Sequence, residues 1–158
     1  MQQRHSLSYI PKPIQSRSGA RIKANGYKNF EIVKTINRCR FRVFLAHSSI
    51  HKKNYALKVY PIKGEELSKH FLHEARLLWL CHMNVIQIID AQPKQCLSYK
   101  GKKFEASYLL MAYAPYGDFT DLLNSRKISG DVKLIRTYFR QLIDGIEYLH
   151  SKGIAHLD

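Results

Sequence analysis

The sequence predicts an α+β fold in which a five-stranded antiparallel sheet with one helix is followed by a partly formed helical region. Two patterns lead to this expectation. Between residues 30 and 60, apolar and polar residues alternate in short runs separated by polar turns, as in half-buried strands. In 67–78 and again in 135–149, apolar residues recur at intervals of three and four, as on one face of a helix. We expect 30–114 to form the sheet with its helix and 115–158 to form the helical region.

The composition narrows the classes of protein that fit. The 158 residues are 45% hydrophobic and 24% charged, which suits one globular domain and excludes wholesale disorder. We expect neither membrane insertion nor secretion, because apolar runs of roughly 18 residues and a signal-peptide pattern are both missing. Cys39, Cys81 and Cys96 are odd in number and widely spaced, which predicts neither a disulfide framework nor a zinc site. We therefore expect the protein to reside in a reducing compartment, either the cytoplasm or the nucleus.

The positive charge is concentrated in the first half of the chain. Of the formal net charge of +14, residues 1–79 carry +12, with 16 basic and 4 acidic side chains. Residues 1–29 contain basic side chains, serines and prolines but no acidic residue, so we expect a flexible basic extension. Such a charge excess attracts nucleic acid, anionic lipid or phosphorylated ligands without distinguishing among them.

The individual elements follow in order. Alternation predicts strands at 30–36, 41–47 and 55–60. After Gly64 we expect a helix, because Glu65 and Glu66 suit its first turn and its apolar residues have helical spacing: Leu67, Phe71, Ala75 and Leu78.

The second half of the sheet and the helices come next. The sequence gives an apolar segment at 85–89, a turn at Pro93, a hairpin through 100–102 and an apolar strand at 107–113. A break at 115–117 precedes a short helix at 118–123. Ser129 is placed to cap a longer helix that ends near Gly153, whose apolar residues are spaced by four and three: Ile135, Phe139, Leu142, Ile146 and Leu149.

One lysine and one glutamate are the residues with the clearest chemistry. Side chains alternate along a strand, so Lys58 shares a face with Ala56. Glu74 falls within the apolar stripe of the first helix and is expected to point inward, where an unpaired carboxylate is costly. Lys58 is the cation available to pair with it. The alternative, a solvated Glu74 and a Lys58 that extends to solvent, remains open at this stage.

These residues resemble the eukaryotic protein kinases of serine/threonine type. The stretch Tyr-Ala-Leu-Lys-Val at 55–59 looks like the family motif Val-Ala-Ile-Lys, and Glu74 is suitably placed to be the helix glutamate that pairs with its lysine. Four further segments resemble the family in the right order, namely 82–85 (the turn after that helix), 108–119 (fifth strand and hinge), 138–150 (the helix before the catalytic loop) and 154–158 (the start of His-Arg-Asp). The resemblance spans 30–158, which is the family's small lobe and the start of its large lobe.

The resemblance implies roles for these residues. Lys58 would hold the α and β phosphates of ATP, Glu74 would orient Lys58, and Asp158 would accept the proton of the substrate hydroxyl. The remaining residues of an ATP site would lie around the adenine and ribose: Ile36, Val43, Ala56, Met111, Ala112, Ala114 and Asp118. Plain core packing is the alternative for the apolar members of this set. ATP and a protein substrate are the partners implied.

The chain also departs from the family pattern. Where a glycine-rich loop should cover the phosphates, 37–43 contains no glycine. Arg38, Arg40 or Arg42 could compensate by pairing with phosphate, or could be solvated. Leu157 replaces the motif's arginine, and the sequence ends at Asp158, before the Asn and Asp that hold Mg²⁺ in the family. We therefore expect no metal ligands here, and a fragment-like or pseudokinase chain that by itself transfers no phosphate.

Two further expectations concern partners. The apolar face of the helix at 132–150 is expected to be covered by a protein partner, because an exposed stripe of that size invites association. A different class of function is a non-catalytic basic module that binds nucleic acid or a phosphoprotein. The bases are scattered and have no aromatic stacking motif among them, so we do not expect nucleic acid as a partner.

Overall fold

The structure is a computed structural model that describes residues 30–37, 40–62, 64, 66–124 and 130–157. An antiparallel sheet of five strands in the order β1-β2-β3-β5-β4 forms its first part. This sheet, with one helix packed on it, confirms the predicted fold class. The strands are β1 (Glu31–Asn37), β2 (Arg42–Ser48), β3 (Lys53–Pro61), β4 (Ile88–Tyr99) and β5 (Lys102–Ala112). The described helices are α1 (Lys69–Ala75), α2 (Phe119–Asn124) and α3 (Val132–Ser151).

Alternation along the strands divides the core between the two faces of the sheet. In β3, Leu57 and Val59 point to one face, where the buried cluster also includes Phe44 and Tyr108. Tyr60 points to the other face, where the cluster also includes Phe71 and Ala75 of α1, with Ala91 and Leu109. The helix therefore lies against the face that carries Lys58.

Helix α1 is shorter than predicted. It begins at Lys69, after Ser68, whose extended backbone at the N-cap separates Leu67 from the helix. Glu66 precedes the helix, so its predicted place in the first turn is wrong, and Glu65 lies outside the described residues. After Ala75 the chain continues in turns closed by bonds of the i to i+3 type, including Leu78 N–H to the Ala75 carbonyl at 3.3 Å. Such turns preserve the helical spacing of apolar residues, which is why the pattern looked longer than the helix.

Strand β4 runs through the position where a turn was expected. Pro93 lies inside the strand, and the register shifts between Gln92 and Gln95, which marks a bulge. The bulge is held by the Lys94 N–H, which donates to Ser107 Oγ at 3.3 Å, and Lys94 has a φ of 45°. The predicted hairpin after this strand is confirmed. Its turn residues Lys100 and Gly101 both have positive φ, as a two-residue type I′ turn requires.

Helix α3 follows a cap that differs from the predicted one. The Leu134 N–H donates to Asp131 Oδ1 at 2.9 Å, so Asp131 is the cap, whereas Ser129 lies outside the described residues. Leu149 is buried, but four of the predicted stripe residues have exposures between 38% and 61%: Ile135, Phe139, Leu142 and Ile146. The helix thus presents an apolar face to solvent. No helix in the described ranges is both long and apolar enough to cross a membrane.

The turn at 82–85, which the resemblance singled out, lies between α1 and β4 in the chain. It and the residue before it contact α3. The Cys81 N–H donates to the Tyr148 hydroxyl at 3.0 Å, and the His82 and Tyr148 rings stack with centroids 4.7 Å apart. Gly145 is buried at the same junction, where a Cβ would come within 3.0 Å of the Asn84 carbonyl oxygen. A residue without a side chain is what allows this approach.

Candidate functional site

Lys58 and Glu74 form a two-pronged ion pair between β3 and α1. The Lys58 ammonium donates to both carboxylate oxygens of Glu74, each at 2.8 Å. The predicted pairing is therefore confirmed. The Lys58 and Glu74 side chains remain 24% and 30% exposed. The pair sits at the border of the core, where a ligand can reach the ammonium.

The sheet and the helix each fix one partner of this pair. Lys58 is opposite Val43 on β2 and opposite Leu109 on β5, so its strand is bonded on both sides. Glu74 lies between Phe71 and Ala75, which are both buried against the sheet. Because α1 has only seven residues, this packing rather than intrinsic helix stability holds Glu74 in place.

Two aromatic rings border the ammonium. Lys58 Nζ lies 5.7 Å from the Phe41 ring centroid and 5.6 Å from the Tyr60 ring centroid, which are cation–π distances. The two rings are 4.8 Å apart. Neither Phe41 nor Tyr60 was predicted from the sequence to be a site residue. Tyr60 could have been found, because it is two positions from Lys58 on the same strand face, whereas the placement of Phe41 depends on the path of a loop.

The Tyr60 hydroxyl is buried and has no hydrogen-bond partner among the described residues. Burial raises the pKa of Tyr60 above its ordinary value, and the neighbouring Glu74 carboxylate raises it further. The neutral phenol is therefore favoured next to the ion pair.

We expect Tyr60→Phe to raise the free energy of unfolding at pH 7 by about 1 kcal/mol, because a buried hydroxyl without a partner is costly. The raised pKa means that the folded chain holds the phenolic proton more tightly than the unfolded chain. Its contribution to stability is complete below about pH 10 and is lost as the pH rises further. The variant should therefore lose less stability between about pH 9 and pH 11, which urea unfolding at both pH values measures.

Two other tyrosines serve as controls for this prediction. Tyr116→Phe should change nothing, because Tyr116 is almost fully exposed. Tyr108→Phe should also reduce the alkaline loss, because burial and the Asp90 carboxylate raise the pKa of Tyr108. A drop in stability at pH 7 in Tyr60→Phe would show instead that the hydroxyl donates to Glu74.

The residues predicted to surround an adenine are only partly brought together. Val43, Ala56 and Met111 lie near Lys58, since Val43 pairs with Lys58 and Ala56 pairs with Met111 across neighbouring strands. Met111 also packs partly buried against the cluster that contains Phe71. Ile36 is 43% exposed on the edge strand β1.

The predicted hinge and ribose residues have other partners in the structure. The Ala112 N–H donates to the Gln87 carbonyl at 3.1 Å, so Ala112 can offer a ligand only its carbonyl. Ala114 is exposed. Asp118 accepts from the Asp121 N–H at 2.9 Å and donates its own N–H to Asp121 at 3.3 Å, which caps α2 reciprocally. Asp158 and Arg38 lie outside the described residues.

Residues 40–158 match the protein kinase domain family, which is well over half of the chain. The chain belongs to the protein kinase family. Curated relatives that it resembles include serine/threonine-protein kinase PKH2 of Saccharomyces cerevisiae, 33% identical over 93% of this chain and 14% of the relative. Another is the interferon-induced, double-stranded RNA-activated protein kinase of Mus musculus, 28% identical over 94% of this chain and 30% of the relative. The chain therefore spans less than a third of the length of these two kinases.

A solved kinase structure has the same fold. The structure of Rad53 1-466 in complex with AMP-PNP matches with a TM-score of 0.64 and 22% identity, covering 84% of this chain and 33% of that one. The sheet with α1 has the fold of the small lobe of a kinase.

The loop between β1 and β2 departs from the kinase pattern because its sequence contains no glycine. None of its described residues, Asn37, Arg40 and Phe41, has a positive φ. The strain that non-glycine residues would carry in a glycine-type loop is therefore absent from the described part of the loop. Arg42 is exposed, whereas Arg40 is engaged with α1.

Two open cavities flank α3 instead of the ion pair. One, of about 730 Å³, lies between Met83, Asn84 and the start of α3. The other, of about 600 Å³, lies behind the hinge beside Ala112 and Leu142. Neither of these two cavities is lined by Lys58 or Glu74.

Proposed function

We propose that the chain is the ATP-binding part of a serine/threonine protein kinase, which transfers the γ-phosphoryl group of ATP to protein hydroxyl groups. The observation that supports this proposal most strongly is the ion pair. Glu74 holds the Lys58 ammonium with both carboxylate oxygens at 2.8 Å, while the ammonium remains partly exposed. A lysine fixed in this way can bind phosphate oxygens without the cost of ordering a flexible side chain.

The surroundings of Lys58 fit the rest of the nucleotide. Ala56 is small and partly exposed beside Lys58, and Val43 and Met111 offer apolar surface to a planar base. The Ala112 carbonyl is the hinge group that we propose accepts a hydrogen bond from the adenine amino group. Ile36, Ala114 and Asp118 complete the proposed site, and Asp158 is proposed to accept the proton of the substrate hydroxyl.

No Mg²⁺ ligand is proposed among the described residues. In the ranges that the structure describes, no group of three or more His, Cys, Asp or Glu side chains comes together. Magnesium prefers oxygen ligands, above all carboxylates and phosphates. The nucleotide contacts proposed for this part of the kinase are therefore those of Lys58 and the hinge.

Measurement of nucleotide affinity for the whole chain and for Lys58→Ala tests the proposal. A fluorescent ATP analogue should bind the unsubstituted chain and should bind Lys58→Ala about 10- to 100-fold more weakly, because a hydrogen bond to a charged group is lost. Lys53→Ala is the matched control, since Lys53 is an exposed lysine on the same strand, and it should bind normally.

Equal affinities for the two lysine variants, or no binding at millimolar ATP, would contradict the proposal. A salt titration with RNA then separates the other function class. Binding to RNA that falls steeply with salt, without binding to ATP, would favour the basic interaction module.

A further inference from the structure

A hydrogen bond ties the β1–β2 loop to helix α1. Arg40 Nη2 lies 2.8 Å from His70 Nε2, across 30 positions of sequence. A guanidinium has donors and no acceptor, so the imidazole nitrogen must accept this bond. His70 is therefore neutral in the bonded state, with its proton on the other ring nitrogen.

The Phe41 ring lies close to both residues of this hydrogen bond. Its centroid lies 5.2 Å from the His70 ring and 4.8 Å from the Tyr60 ring, and Phe41 packs partly buried against the cluster that contains Phe71. The Arg40 guanidinium carbon is 5.6 Å from the same ring, and Lys58 Nζ is 5.7 Å from it. The ring thus contacts loop, helix and ion pair together.

His70 and Glu74 lie one turn apart on α1, so they share a face of the helix. His70 accepts a hydrogen bond from the loop, and Glu74 accepts one from Lys58. These two contacts hold the helix at neighbouring points. The seven-residue helix has no side-chain cap to stabilise its first turn.

We propose that Arg40 and His70 are positioning residues of the nucleotide site. Their hydrogen bond, together with the Phe41 ring, forms a loop–helix bridge that holds α1 where Glu74 reaches Lys58. The bridge exists only while His70 is neutral, because an imidazolium cannot accept from the guanidinium and repels it. The effect on ATP affinity rests on the proposed function, whereas the effect on the ion pair does not.

The surroundings of His70 contain charges of both signs. From the loop it faces Arg40, and β3 contributes Lys58 and Tyr60 beyond the Phe41 ring. β4 and β5 contribute apolar side chains to this side of the sheet, including Ala91 and Leu109. On its own helix the ionisable neighbours are Lys69, His73 and Glu74.

The reactivity of Lys58 toward an amine-acylating reagent reports on the bridge independently of nucleotide. Mass spectrometry compares acylation of Lys58 with that of Lys53 in the same chain, so that the amount of active reagent cancels. In the unsubstituted chain the ratio should be low, because Glu74 holds Lys58. Where the bridge is removed by substitution, the ratio should rise about two- to tenfold, the range expected for loss of one hydrogen bond.

Four variants test the assignment. In His70→Gln, the amide oxygen can still accept from Arg40, so the ratio should stay low. His70→Lys and Arg40→Ala remove the bridge and should give a high ratio. His73→Gln is the matched control, since His73 is exposed on the same helix, and it should behave as the unsubstituted chain. Circular dichroism verifies that each variant is folded.

The affinity of the same variants for the fluorescent ATP analogue is then measured. His70→Lys and Arg40→Ala should bind more weakly than His70→Gln. If the acylation ratios change as expected but no variant binds ATP, the bridge stands and the proposed function fails. If ATP binds and every variant has the acylation ratio of the unsubstituted chain, the bridge has no positioning role and the inference is overturned.

Discussion

Replacement of Phe71 by alanine is expected to lower the free energy of unfolding by about 3–5 kcal/mol and to detach Glu74 from Lys58. Phe71 is 2% exposed and is the largest buried side chain that α1 contributes to the sheet. Its ring contacts Tyr60 with centroids 5.7 Å apart. Without it, the seven-residue helix loses most of the packing that holds it. Urea unfolding gives the stability change, and acylation of Lys58 relative to Lys53 gives the state of the pair.

Phe44→Ala is the matched control for this prediction. Phe44 is also 2% exposed but belongs to the cluster on the opposite face of the sheet. Its loss should cost a similar amount of stability while the folded chains keep the ion pair. The comparison is made at a urea-free condition where both variants are folded by circular dichroism. Equal acylation of Lys58 in the two variants would mean that α1 is held by contacts other than Phe71.

Replacement of Gln92 by leucine is expected to lower the free energy of unfolding by about 1.5–3 kcal/mol, because a buried charge loses its neighbouring donor. Asp90 and Gln92 are both buried in β4, and Gln92 Nε2 donates to the two carboxylate oxygens of Asp90 at 3.0 and 3.1 Å. The Ala91 N–H donates to Asp90 at 2.8 Å. No salt bridge to Asp90 is formed within the described residues. Denaturant unfolding at pH 7 measures the loss.

A second substitution separates the charge from the packing. The double variant Asp90→Asn with Gln92→Leu should be more stable than Gln92→Leu alone, because no buried carboxylate is left without its partner. Gln95→Leu is the matched control, since Gln95 lies in the same strand and donates to a neutral acceptor, the Pro93 carbonyl. It should cost about 1 kcal/mol or less. The explanation is contradicted if the double variant loses as much stability as the two single variants, Asp90→Asn and Gln92→Leu, lose in sum.

The parts of the fold that depend on local pattern were predictable. The alternation in β3 placed Lys58 on the face of Ala56, and helical spacing placed Glu74 in the apolar stripe that contains Phe71. Both periodicities are properties of short segments, so the pairing of Lys58 with Glu74 followed from sequence. The start of α1 was not predictable in the same way. Glu65 and Glu66 have the charge that suits a first turn, but they precede Ser68, which occupies the N-cap position.

Contacts between distant segments account for what the sequence did not reveal. The bridge from Arg40 to His70 joins a loop to a helix, and no spacing rule relates these residues. The same is true of Phe41, whose ring centroid lies 5.7 Å from Lys58 Nζ. The turn expected at Pro93 was wrong because proline is tolerated where a strand lies at a sheet edge.

The position of that proline has a consequence for growth of the sheet. β4 and β1 are the two outer strands, and each is irregular: β4 carries Pro93, which lacks an N–H, and β1 shifts register on either side of Lys34 and Thr35. Intermolecular strand addition needs a straight row of free backbone donors and acceptors. A second copy of the chain would find the row of free backbone groups interrupted on both β1 and β4. This disfavours fibril formation through either outer strand.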